Sequence, residues 1–149
     1  MNRIKEIWAG FTQTPVEAEL NLPLQILEHL ANEINKDAAR DEVCARVVTV
    51  TGVASNEVIH SLYLLPVYGN GYNYRFIELA QPIDAFFPVH VTAFQSGNSD
   101  FGTVAIEQGE DGIYETLQRI FGDPRTKIVF AQLKSMGNTA RGWNEQLGA

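Results

Sequence analysis

The chain has 149 residues, 45% of them hydrophobic and 19% charged, with a formal net charge of −7. That length suits a single domain, 1–149, and the composition excludes both a disordered chain and a membrane-embedded one. The acidity excludes extended contact with nucleic-acid phosphate, which needs clustered Lys and Arg, and permits a basic protein partner.

The opening stretch MNRIKEIWAGF lacks the apolar run of about seven residues that forms a signal-peptide core. The greasiest later stretch, VIHSLYLLPVY, is interrupted by His60, Ser61 and Pro66, so no membrane insertion is expected. Cys44 is the single cysteine. It cannot form an internal disulfide, and its place in EVCARVV reads as a small buried strand residue in a reducing, cytoplasmic protein.

Residues 24–35 place Leu24, Leu27, Leu30, Ala31 and Ile34 at helical spacing after Pro23, which predicts an amphipathic N-terminal helix. From 43 to 95 the pattern changes to short runs of Val, Ile, Tyr, Phe and Thr. Turn-like GVASN, YGNGY and AQPIDAFFP separate them, predicting about four antiparallel strands. QSGNSDFG reads as a loop, mobile over 96–102, before a short fifth strand at 103–106. Glu110 and Asp111 open a helix that Gly122 ends, and Asp123-Pro124 starts another. Residues 126–134 are ambiguous, because TKIVF favours strand while Val129, Leu133 and Met136 fall on one helical face; helix is the preferred reading. The tail 138–149 is polar apart from Trp143 and Leu147 and is expected to be weakly ordered unless Trp143 docks. The fold expected is α+β: an N-terminal helix, an antiparallel meander of four to five strands, and two C-terminal helices packed on the sheet.

YGNGYNYR has two glycines in G-x-G spacing, but Tyr74 holds the third glycine slot of a dinucleotide fingerprint and a strand, not a helix, follows. Asn70-Gly71 instead suits a type I′ hairpin turn. That turn would pair Val67 with Tyr74, Leu65 with Phe76 and Tyr63 with Glu78 on one face. On the other it would pair Pro66 with Arg75, Leu64 with Ile77 and Leu62 with Leu79. Both faces of such a hairpin are apolar, so the sheet is expected to be covered on both sides, mainly by the helices and otherwise by a second copy.

His29, His60 and His90 are widely spaced. His29 reads as a solvent-facing neighbour of Glu33, while His60, His90 and Glu78 could line a pocket for a metal or for acid–base chemistry. The proposed register turns Glu78 away from His60. No lysine lies between Lys36 and Lys127, Ala80 stands where an E-x-K nuclease pair needs one, and no P-loop, CxxC, HExxH or G-x-S-x-G motif occurs. No catalytic residue, metal or cofactor is therefore assigned.

Between Arg75 and Arg119 every charged side chain is acidic: Glu78, Asp84, Asp100, Glu107, Glu110, Asp111 and Glu115. Such a run is either a solvated surface with acids favouring a helix N-terminus or an edge that meets a basic protein. Tyr68, Tyr72 and Tyr74 crowd the hairpin tip, where they can anchor a contact or pack across the turn. The function expected is a non-catalytic protein-binding module, of inhibitor or immunity type. Its binding residues are Tyr68, Tyr72, Tyr74, Asp100, Glu107, Glu110, Asp111 and Glu115. A small enzyme or ligand binder using His60, His90 and Glu78, and a homodimeric or larger assembly subunit, are the alternatives.

Overall fold

A computed structural model describes residues 3–13, 22–51, 56–68, 72–93 and 103–146, with side chains described except at 103–104 and 138–146. Among them are helices α1 (Arg3–Gln13), α2 (Pro23–Lys36) and α3 (Ala38–Asp41). Strands β1 (Val43–Thr51), β2 (Glu57–Pro66), β3 (Tyr74–Pro82), β4 (Val89–Ala93) and β5 (Thr103–Glu107) follow, then α4 (Glu110–Gly122) and α5 (Pro124–Gln146). The strands form one five-stranded antiparallel sheet in sequential order, β1-β2-β3-β4-β5. The fold is the expected α+β arrangement, and residues 126–134 are helical. No described helix is long and apolar enough to cross a membrane.

The helices form where the sequence periodicity demanded. Pro23 sits in the first turn of α2, where its missing N–H is harmless, and the Gln25 side chain reaches back to accept the Leu22 N–H at 2.9 Å. The α2–β1 junction bends through Glu42, which adopts a left-handed φ of 58°. Its carbonyl accepts the Val67 N–H at 3.0 Å, tying the start of β1 to the end of β2. Thr126 donates to the Ile120 carbonyl at 2.5 Å, locking the first turn of α5 to the end of α4.

Strand alternation separates the two faces of the sheet. Val43, Ala45, Leu62, Leu64, Ile77, Leu79, Val89 and Val91 point one way and are buried. They join Ile26, Leu27 and Ala31 of α2, Ile113, Leu117 and Ile120 of α4, and Val129 and Leu133 of α5 in a single core. At about 25 cal/mol per Å² of apolar surface removed from water, this layer supplies most of the driving force for folding.

Three features depart from expectation. The β2–β3 register has Ser61 opposite Glu78, Leu62 opposite Ile77, Tyr63 opposite Arg75 and Leu64 opposite Tyr74, with a shift between Leu62 and Tyr63. None of the six pairs centred on Asn70-Gly71 forms; the turn itself, residues 69–71, lies outside the described residues. The bulge lets Phe76 and Ile77, adjacent in sequence, both be fully buried. Phe76 meets Phe121 edge-on at 5.6 Å and Phe130 at 6.3 Å, so filling the space under α4 and α5 outweighs strict alternation.

The second departure is coverage: the core helices pack on one face. The other face carries Val48, Val50, Ile59, Tyr63, Leu65 and Ile106, and none of these joins the core. Cys44 lies on this open face as a half-buried free thiol, not in the core.

The third is α1, a helix the sequence reading passed over. Ile4, Ile7, Trp8 and Phe11 recur at helical spacing, yet they are 75%, 71%, 64% and 67% exposed, and no residue of α1 is buried. The α5 backbone runs helical through 138–146, while the Trp143 side chain and the loop over 96–102 lie outside the described residues.

Candidate functional site

The sheet register disperses the histidines. His60 pairs with Leu79 and faces the helices, whereas His90 pairs with Ala80 and Glu78 with Thr92, placing both on the open face. No group of three or more His, Cys, Asp or Glu able to hold a metal occurs among the described residues. His60 is 5% exposed, and its Nδ1 lies 2.9 Å from the Thr49 hydroxyl. Burial pushes the imidazole below its usual pKa, while the Gln81 amide and the Glu28 charge pull weakly the other way. It is a buried, hydrogen-bonded histidine on the helix-facing side of the sheet. His29 is solvent-facing and 3.7 Å from Glu33, as its position on the polar side of α2 predicts.

The acidic run divides by environment. Glu107 ends β5 and faces inward: Thr116, fully buried on α4, donates to its Oε1 at 2.7 Å, and Arg119 in turn donates to the Thr116 hydroxyl at 3.1 Å. The carboxylate lies over the first turn of α4 where Gly112 has no side chain; a Cβ there would overlap Glu107 Oε2. Glu107 thus joins β5 to α4.

Asp111 and Glu115 are exposed and lie one turn apart on α4, with exposed Tyr114 on the same side. Glu110 is half-buried at the start of the same helix, and Asp100 lies outside the described residues. Four acids elsewhere are matched by cations of their own surface. Glu33 meets Lys36 at 2.7 Å, Asp37 and Asp41 meet Arg40 at 3.4 and 3.0 Å, and Asp123 meets Arg125 at 2.7 Å. Among the described residues Asp111 and Glu115 have no such ion pair.

Tyr68 and Tyr72 are 42% and 43% exposed at the hairpin tip, while Tyr74 turns inward, 6.5 Å from Phe76. The end of β2 is held against α5 at Gly137, where an added Cβ would come within 3.3 Å of Pro66. Glu107 and the hairpin tip lie towards opposite ends of the sheet. Glu107 is level with Val89 on β4, whereas Tyr74 is level with Leu64, some seven residues along β3 from that end. At about 3.3 Å per residue this separates them by roughly 23 Å.

One feature escaped the sequence reading. A groove of about 630 Å³ runs between α2–α3 and α4–α5, floored by Ile34, Phe121 and Phe130 and rimmed by Asp41, Lys127 and Lys134. Its lining comes from four helices distant in sequence, so no local motif announces it. The Arg40 hydrogen bond holds the Asp41 carboxyl below its usual range, with a smaller pull from Lys134. With charges of both signs already opposed, the groove offers no single ligand chemistry. No family model, curated protein or solved structure matches this chain.

Proposed function

We propose that this chain is a non-catalytic, cytoplasmic protein-binding module of inhibitor or immunity type, and that it receives a basic partner on the exposed side of α4. The observation that carries this reading is the contrast in acid pairing. Asp111 and Glu115 flank exposed Tyr114 without an intramolecular ion pair among the described residues, while Glu33, Asp37, Asp41 and Asp123 each have one. Acids that form no ion pair within their own chain can present their charge to a partner, and an aromatic between them supplies apolar contact area.

The test is co-expression and purified binding with the products of the adjacent genes. A neighbouring basic protein is expected to be neutralised and bound, with association slowing as salt rises. Asp111→Lys with Glu115→Lys should slow association about tenfold or more. If no neighbouring product binds, or binding ignores both salt and the double reversal, the reading fails.

A further inference from the structure

Among the described residues, the outer edge of β1 is an unfinished ladder. β1 is the first strand of the sheet, pairs with β2 without a register shift over its nine residues, and contains no proline. Ala45 directs its N–H and C=O outward, since both are taken by the Asn35 side chain at 2.7 and 3.0 Å. Alternate residues of a strand share that direction, so Val47, Thr49 and Thr51 also present their backbone groups outward. Asn35 stands in for a neighbouring strand at Ala45, and the free ladder begins at Val47.

We infer that this edge pairs with β1 of a second copy, antiparallel about a two-fold axis at Thr49. Thr49 then faces Thr49 of the other copy and Val47 faces Thr51, both as pairs that exchange two hydrogen bonds. Val48 and Val50 meet between them on the open face. The match is self-complementary. The stretch 47–51 carries no charge, Arg46 falls just beyond it so that like charges are not opposed, and Val50, 51% exposed in one copy, gains an apolar neighbour. Long, uncharged edge strands invite such addition, and a two-fold needs only one self-matching surface. The surface is distinct from the acidic side of α4 and does not depend on the binding reading above.

Sedimentation equilibrium of the full chain is expected to show a dimer population rising with concentration. Thr51→Pro removes an outward N–H without touching the β1–β2 ladder and should weaken the dimer about tenfold or more. In a Cys44→Ser background, Thr49→Cys should form a disulfide dimer under mild oxidation, because Cα atoms of such a pair lie about 5.5 Å apart. Val50→Cys, about 7–8 Å from its own symmetry mate, should cross-link far more slowly. A monomer at all concentrations, a dimer indifferent to Thr51→Pro, or faster cross-linking at Val50 than at Thr49 overturns the proposal.

Discussion

Asn35 holds the backbone of Ala45 from the side, donating to its carbonyl at 3.0 Å and accepting its N–H at 2.7 Å, so a helix side chain completes a strand edge. Asn35→Ala leaves both backbone groups to water and is expected to lower stability by about 1–2 kcal/mol. Asn35→Asp should not rescue it, because a carboxylate accepts the N–H yet repels the carbonyl. Urea unfolding midpoints at constant m-value check this, and the alanine variant should also aggregate faster through the exposed edge.

Glu107 and Gly112 form a lock-and-gap pair. Alanine in a helix is worth up to about 1 kcal/mol over glycine. At position 112, however, it displaces the carboxylate from Thr116 and forfeits a charge-assisted hydrogen bond of about 1.5–3 kcal/mol. Gly112→Ala is therefore expected to destabilise the wild type and to stabilise a Glu107→Ala background. Thermal or urea unfolding of the double-mutant cycle reads this change of sign.

His60 gives a signed pH dependence. Its pKa is lowered in the folded protein from an ordinary value of 6.5, so below that pH the unfolded chain binds more protons. Stability from this residue is present at neutral pH and is lost as pH falls through 6.5 towards the depressed folded value, with a slope of at most about 1.4 kcal/mol per pH unit. His60→Gln should remove that slope between neutral pH and pH 5 while the carboxylate-driven loss at lower pH persists. Urea unfolding at a series of pH values compares the two.

Phe76 is fully buried and edge-on to both Phe121 and Phe130. Phe76→Ala is expected to cost about 3–5 kcal/mol, and Phe76→Leu clearly less. Should the alanine variant not fold, the leucine variant still provides a measurable unfolding midpoint.

Element types were legible because they follow from local periodicity. The repeat of Leu27, Leu30, Ala31 and Ile34 requires a helix, and short β-branched runs between turn residues require strands. The α1 stripe of Ile4, Ile7, Trp8 and Phe11 carries the same helical spacing within a stretch that also has the place of a leader. The β2–β3 register was not legible, since a bulge answers to the space Phe76 fills beneath residues from α4 and α5, more than 40 positions downstream.

The candidate site divided in the same way. Its residue types were visible in the chain, but their exposure was not. Glu107 differs from Asp111 and Glu115 by facing a buried threonine, which depends on how β5 docks against α4.

From the sequence alone come the α+β class, the order of its elements and the concentration of negative charge after Arg75, because composition and short-range spacing determine these. Tertiary structure decided which sheet face is buried, which histidine is buried, which acids stay exposed and where an edge remains open among the described residues. Those properties depend on contacts between residues distant along the chain, whose geometry arises only when strands and helices pack.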